Sequence, residues 1–268
     1  MSKAYNTKKY FILICEGETD KTALNLVSNR YFKSLSKDVN VTFKVFKGDF
    51  SIHSFSDQKE FADPNEIIKR IEKLIKNCYD TALKPDGIET KDIIWVASLS
   101  DLDGCYLRNE FIIYNEDGNK ICYDVSNKCI KTKDVTHIKQ RNEIKQIAMD
   151  ILFDTDIINL KKKKIPYKAF YFNLNMEHVF YNDINSLSLE EKENYAKSFR
   201  DKYYDKPNEF ISFINDLPIV ANNYKTSCNN IELKKHPMDR ITNIKYLYEW
   251  IIELVDKNNI FATSPMVI

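Results

Sequence analysis

The chain has 268 residues, 43% hydrophobic and 29% charged, a composition that supports a folded core and excludes a disordered chain. Lysine and arginine number 40 against 39 aspartates and glutamates, so the net charge of +1 excludes a uniformly basic nucleic-acid coat but not a local basic patch. Only 5 residues are glycine, where average usage predicts roughly 19, so each glycine is informative.

The sequence carries no apolar stretch near the roughly 18 residues that span a bilayer, and the polar residues 1–10 do not resemble a signal peptide. Its six cysteines form no CxxC pair, which favours scattered reduced thiols over a zinc site or a disulfide framework. We therefore expect a cytoplasmic protein that does not interact with membranes.

The first hundred residues alternate strand and helix patterns. Residues 10–15 (YFILIC) form a continuous apolar run, typical of a strand buried on both faces. Strands are also predicted over 41–46 and 92–98, with an amphipathic helix that begins at Asp63-Pro64 between them. This order of elements predicts an α/β fold with a parallel sheet flanked by helices.

The middle of the chain interrupts this pattern. Two β-type segments, 110–114 and 120–124, flank Asp117-Gly118, a turn sequence typical of a β-hairpin. The α/β pattern then resumes with a helix over about 139–152 and a strand over about 167–174. We interpret the hairpin as an insertion into the α/β domain.

The remainder of the chain is helical and aromatic, with helices predicted over 189–204, 208–214 and 240–255. It contains no repeat, heptad run or low-complexity linker. We therefore predict an α/β domain over 1–174 and a helical C-terminal extension over 175–268 that packs on it.

Two acidic clusters follow predicted parallel strands, at the sheet edge where open α/β proteins bind ligands. They are Glu16-Gly17-Glu18-Thr19-Asp20 and Asp101-Leu102-Asp103-Gly104. In each, a glycine lets the backbone turn close to a ligand. Neighbouring carboxylates repel one another unless a cation lies between them, and hard oxygen ligands suit Mg²⁺ or Mn²⁺ better than zinc. The clusters therefore predict a divalent-metal site.

The motifs Cys15-Glu16-Gly17-Glu18-Thr19-Asp20 and Ser100-Asp101-Leu102-Asp103-Gly104 resemble those of the Toprim domain, found in topoisomerases, bacterial primases, ribosomal-RNA maturases and OLD-type nucleases. The resemblance extends over about 9–174 and implies a Toprim-like Rossmannoid sheet. It also implies that Glu16 is a metal-linked glutamate able to act as general acid or base, that Asp101 and Asp103 hold Mg²⁺, and that Asp20 is an accessory acid.

Among Toprim proteins, the chain is most similar to the small nucleases of bacterial anti-phage systems. It has no room for a topoisomerase clamp, and its cysteine spacing does not fit the zinc module of a primase. The resemblance implies a Mg²⁺-dependent endonuclease that hydrolyses RNA, transfer RNA among its substrates, or DNA, as the toxic effector of abortive infection. Such hydrolysis needs a metal site and a groove, but no covalent nucleophile.

A further acid, Glu177, follows the predicted strand over 167–174. Defence-type Toprim proteins carry an acid in this region, which implies a ligand for a second metal. An ordinary acid at a helix N-terminus explains Glu177 equally well, and the adjacent His178 is more typical of a structural histidine.

Basic and aromatic residues of the helical part are candidate nucleic-acid contacts. Lys234, Lys235 and Arg240 are candidates for binding phosphate. Four tyrosines, Tyr203, Tyr204, Tyr224 and Tyr246, are candidates for stacking on unpaired bases, although helical spacing is more typical of core residues. The lysine run 161–164 precedes its strand, away from the acids, and fits a solvated loop.

Two other functions remain open. A neutral surface and an aromatic C-terminal part also suit a non-catalytic or partner-inhibited Toprim subunit that binds an ATPase or another protein, or a homo-oligomer. A phosphotransferase acting on small nucleotides is disfavoured, because the chain has no glycine-rich phosphate loop.

Overall fold

The computed structural model describes residues 8–35, 41–48, 64–116, 121–184, 187–232, 236 and 238–262. Its strands are β1 (Lys9–Cys15), β2 (Val41–Lys47), β3 (Ile93–Asp101), β4 (Ile112–Tyr114), β5 (Cys122–Asp124), β6 (Cys129–Thr132), β7 (Ile157–Leu160) and β8 (Lys163–Phe172). Its helices are α1 (Glu18–Leu35), α2 (Pro64–Cys78), α3 (Val135–Phe153), α4 (Met176–Tyr181), α5 (Leu189–Tyr203), α6 (Pro207–Asp216), α7 (Tyr224–Glu232) and α8 (Ile244–Ala262). Within these ranges, no helix combines the length and apolarity needed to cross a membrane.

The main sheet has the strand order β2-β1-β3-β8-β7. The first four strands are parallel, and only β7 runs antiparallel, paired with β8. The prediction of an α/β fold is thus confirmed as a mixed, mostly parallel sheet flanked by helices. The central position of β1, β3 and β8 brings their carboxyl ends to one edge of the sheet.

Both faces of the sheet are covered, which explains the continuous apolar run of β1. Alternate residues of that strand point to opposite faces. Phe11 and Leu13 belong to the core beneath α1, α5, α6 and α8, whereas Ile12 and Ile14 belong to the core beneath α2, α3 and α7. All four side chains are almost completely buried.

Strand β7 was not predicted, and β8 begins earlier than predicted. The two strands form a hairpin whose turn contains Lys161 in the left-handed region (φ 58°). Lys163, predicted to lie in a solvated loop, is instead the first residue of β8, and its Nζ donates hydrogen bonds to backbone carbonyls including that of Ile93 (2.6 Å). Short four-residue runs such as β7 carry too little periodicity to be recognised.

The predicted pairing of residues 110–114 with 120–124 is wrong. Strand β6 lies between β4 and β5 in a separate three-stranded sheet, parallel to β4 and antiparallel to β5. Ile130 of β6 is fully buried, and the strand with the most buried residues takes the central position. The hairpin turn lies after Asp124, whose side chain accepts a hydrogen bond from the backbone N–H of Asn127 (3.0 Å). The Asp117-Gly118 turn lies outside the described residues.

The C-terminal helices share a core with the sheet. Tyr248 of α8 is fully buried, lies parallel to the ring of Phe32 in α1 (5.8 Å between centroids), and shares a hydrogen bond with Ser28 (2.8 Å). Helix α8 begins later than predicted because the preceding residues bind the end of β8. Thr242 donates to the Tyr171 carbonyl (2.6 Å), and the Asn243 side chain accepts from the Tyr171 N–H (2.9 Å).

Gly48 allows a close approach between the end of β2 and α2, so we expect Gly48→Ala to be destabilising. Its N–H donates to the Cys15 carbonyl (2.8 Å), and an added Cβ would clash with the side chains of Ile14 and Leu74. We expect a loss of about 1–3 kcal/mol in urea unfolding, as is typical of overpacking. The neighbouring exposed-site variant Lys47→Ala should change stability by less than about 0.5 kcal/mol; equal stabilities would contradict the close approach.

Candidate active site

Five carboxylates gather at the carboxyl edge of the main sheet. Glu16 directly follows β1, and Asp101 ends β3 with Asp103 two residues later. Asp20 lies in the first turn of α1, and Glu177 lies on α4 just beyond β8. Asp101 interacts electrostatically with the other four, so the structure brings together all the acids that the sequence predicted.

Asp20 closes the turn between β1 and α1. One of its carboxylate oxygens accepts a hydrogen bond from the Gly17 N–H (3.0 Å), and the side chain is buried. Burial raises the pKa of Asp20 to about 6; the Gly17 hydrogen bond opposes this rise, and the negative charge of Glu177 adds to it. Asp20 therefore stabilises the turn while adding negative charge to the site.

The carboxylate of Asp101 lies in an electrostatically unfavourable environment. Its Oδ1 is buried and has no hydrogen-bond partner in the structure. Burial raises the pKa of Asp101 well above its usual range, and the charges of Asp20 and Glu16 raise it further. An ionised carboxylate in this position lacks the partners that normally offset its desolvation.

Asp103 and Gly104 form a left-handed turn after β3, with φ values of 51° and 69°. For a non-glycine residue this conformation costs roughly 1–2 kcal/mol. Several hydrogen bonds hold the turn, because the Asp103 N–H donates to the Leu174 carbonyl (3.0 Å) and the Arg141 guanidinium donates to the Asp103 carbonyl (2.9 Å). The left-handed backbone orients Asp103 toward the other acids. The positive φ of residue 104 explains why a glycine stands there.

Two basic residues of α3, which sequence reasoning missed, reach this site. The Lys145 ammonium lies 2.6 Å from Asp103 Oδ2 and 3.2 Å from Glu16 Oε1. Burial acts to raise the pKa of Asp103, but Lys145 and Arg141 outweigh it and hold that pKa below its usual value. The four-residue spacing of Arg141 and Lys145 on a predicted helix was the available signal, because it places both on one face.

A cavity of about 410 Å³ opens beside the acids. Asp101, Asp103 and Glu177 line it, together with Tyr123 from the inserted sheet and Lys192 from α5. The Tyr123 hydroxyl donates to Asp103 (3.4 Å), and Lys192 lies 3.7 Å from the buried Glu177 carboxylate. The inserted sheet and the helical part thus both form walls of the candidate site.

The chemistry of these side chains fits Mg²⁺ or Mn²⁺, since all the acids offer carboxylate oxygens and one oxygen of Asp101 is buried without a partner. However, no three His, Cys, Asp or Glu side chains of the described residues are arranged as a metal-ligand set. Between Glu16 and Asp103 lies the Lys145 ammonium.

Of the three predicted phosphate contacts, the structure describes only Arg240. Lys234 and Lys235 lie outside the described residues. Arg240 precedes α8 and does not lie in a helix. Its guanidinium donates hydrogen bonds to backbone carbonyls at the end of α4, including that of Val179 (2.9 Å). Its donors therefore stabilise α4, and we do not assign it a phosphate contact.

The sequence left two roles open for the four tyrosines, base stacking and core packing. Most of them contribute to packing. Tyr203 and Tyr246 are buried, and the Tyr224 hydroxyl donates to the Ala169 carbonyl (2.9 Å). Tyr204 is 41% exposed. His178 is buried with an unpartnered ring nitrogen, and burial lowers its pKa.

Comparison of the chain with protein-family models, with curated proteins and with solved structures finds no significant match. The resemblance to Toprim proteins therefore depends on the two sequence motifs alone.

Proposed function

We propose that the protein is a Toprim-like, divalent-metal-dependent endonuclease that hydrolyses phosphodiester bonds in RNA or DNA. The observation that carries this proposal is the buried, unpartnered carboxylate oxygen of Asp101, surrounded by four further acids. Such a concentration of negative charge at the ligand-binding edge of a parallel sheet is unfavourable without a cation. Because this concentration of charge is unfavourable for stability, a function explains its presence better than stability does.

In this proposal Glu16, Asp101, Asp103 and Glu177 hold Mg²⁺ or Mn²⁺. When bound, such a cation supplies charge stabilisation at the phosphate and lowers the pKa of water. Asp20 keeps the turn at Gly17 in place through its hydrogen bond. Lys192, half-exposed at the cavity wall, offers an ammonium to a substrate phosphate oxygen.

The test is cleavage of RNA, single-stranded DNA and duplex DNA by purified protein with Mg²⁺ or Mn²⁺. We expect cleavage that chelation abolishes and that falls to the chelated level in Glu16→Ala. The matched control is Glu18→Ala, an exposed acid paired with Lys21 (2.6 Å), which should retain the wild-type rate. Undiminished cleavage by Glu16→Ala would contradict the assignment of the site.

A role as the toxic effector of a phage-defence system, acting in the cytoplasm, is supported by the motif resemblance only. It predicts that expression of the wild type arrests cell growth, whereas expression of Glu16→Ala does not. Sequencing of nucleic acids cut during expression would identify RNA or DNA as the substrate.

One observation favours a second function, a non-catalytic or partner-inhibited subunit that binds an ATPase or another protein. Lys145 already neutralises part of the acidic site without a metal. This function predicts a stable complex on purification from the native host, with no cleavage by the isolated chain. A homo-oligomer would be detected in the same experiment by light scattering.

A further inference from the structure

A buried lysine lies inside the acidic site. The Lys145 side chain is only 5% exposed, and its ammonium bridges two acids that follow different strands. It lies 2.6 Å from Asp103 Oδ2 and 3.2 and 3.4 Å from the two Glu16 carboxylate oxygens. Glu16 and Lys145 are 129 residues apart in sequence, so the tertiary fold creates this bridge.

Arg141, which also lies on α3 and reaches the site, is held differently. Arg141 donates to the backbone carbonyl of Asp103 (2.9 Å) and to the Asn142 side chain (2.7 Å). Arg141 therefore stabilises the turn, whereas the Lys145 ammonium contacts carboxylate oxygens of both Glu16 and Asp103.

We propose that Lys145 is a built-in counter-ion of the carboxylate site, which competes with a divalent cation for Glu16 and Asp103. This inference depends on the metal site of the proposed function. The oxygens that would bind a metal already accept hydrogen bonds from the ammonium, and two cations at contact distance from the same pair of carboxylates repel each other. The flexible four-carbon stem of lysine allows the ammonium to withdraw.

This arrangement has two consequences. Without metal, Lys145 stabilises the fold by offsetting the charge of two partly buried acids. With metal, displacement of the ammonium reduces the apparent affinity of the site. Lys145 thus sets the divalent-metal concentration at which the site fills.

The experiment measures Mn²⁺ binding by calorimetry and thermal unfolding with and without Mn²⁺, for the wild type, Lys145→Met and Lys139→Met. We expect Lys145→Met to bind Mn²⁺ at least about tenfold more tightly, equivalent to about 1.4 kcal/mol. Its metal-free form should unfold at a lower temperature, and Mn²⁺ should raise its unfolding temperature more than that of the wild type.

Lys139→Met is the matched control, because it removes one positive charge from the same helix, and Lys139 is not among the lysines that form ion pairs with the acids of the site. Its affinity should change by less than about threefold, or roughly 0.7 kcal/mol. An equal gain in both variants would show a general effect of charge and would overturn the displacement of Lys145.

The remaining outcomes separate the two proposals. If the wild type binds Mn²⁺ and Lys145→Met binds it equally or more weakly, the inference fails while the metal site stands. If neither protein binds Mn²⁺, the metal site of the proposed function fails, and the inference with it. Should Lys145→Met not fold, Lys145→Gln, whose uncharged amide still donates hydrogen bonds, should show the same gain in affinity.

Discussion

Replacement of Asp101 by asparagine is expected to abolish cleavage and, at the same time, to stabilise the metal-free protein. Asparagine has nearly the same shape but no charge, so it removes the proposed metal ligand and the negative charge of a carboxylate with one buried, unpartnered oxygen. Loss of the several kcal/mol that a metal contributes corresponds to a fall in cleavage rate of about 10³-fold. The gain in metal-free stability at pH 8 should be about 1–3 kcal/mol, because asparagine removes a desolvated negative charge and its repulsion by the neighbouring acids.

The same substitution should alter the dependence of stability on pH. The pKa values of Asp101 and Asp20 are raised on folding, that of Asp20 from 3.8 to about 6. Their protonated forms favour the folded state at low pH, and this contribution is lost as pH rises through the folded-state pKa values. Asp20 is present in both proteins, so a fall in the stability of the metal-free wild type relative to Asp101→Asn between pH 5 and 8 should report Asp101.

Two other groups with shifted pKa values, Asp103 and His178, also contribute to the dependence of stability on pH. Asp103 has a lowered pKa, so its contribution is lost only as pH falls below 3.8, outside the range measured. His178 also has a lowered pKa and therefore destabilises the folded state as pH falls below 6.5. Because His178 is present in both proteins, comparing the wild type with Asp101→Asn at each pH cancels its contribution.

Urea unfolding in the presence of a chelator, at pH values from 5 to 8, measures this difference. Glu18→Gln serves as the control, since it neutralises an exposed acid of the same cluster and should leave the pH dependence unchanged. A lower stability of Asp101→Asn than of the wild type at pH 8 would show that the Asp101 carboxylate is favourably paired, contrary to the proposal.

Tyr248→Ala is expected to be more destabilising than any other substitution proposed for this protein. The ring is fully buried and packs against Phe32, Tyr31 and Phe210, from two different helices. Loss of a buried aromatic side chain of this size costs about 3–5 kcal/mol, a large part of the stability of an average domain. Thermal or urea unfolding followed by circular dichroism should detect it.

Two controls separate packing from other effects. Tyr248→Phe removes only the hydrogen bond shared with Ser28 and should cost about 1 kcal/mol. Tyr204→Ala, at a tyrosine that is 41% exposed, should cost less than about 1 kcal/mol. All three variants should unfold in one transition, because α8 and α1 share a core; a separate early transition of the C-terminal helices would contradict this.

The α/β class and the two acidic clusters could be predicted because each depends on short-range order. The apolar run of β1 signals a strand covered on both faces, and a residue that directly follows such a strand lies at its carboxyl end. The positions of Glu16 and Asp101 at one edge of the sheet follow from this pattern. The pairing of β4 with β6 was missed because burial of Ile130, and not a turn sequence, determines which strand is central.

The sequence by itself thus determined the four parallel strands, their helical cover and the edge at which the acids lie, since these follow from hydrophobic periodicity and strand direction. Only the tertiary structure decided how the charges are balanced. The bridge between Lys145 and Glu16 joins residues that are 129 positions apart in the chain, and the pairing of the buried Glu177 with Lys192 joins two successive helices. Such contacts depend on packing between helices and the sheet, which no local pattern encodes.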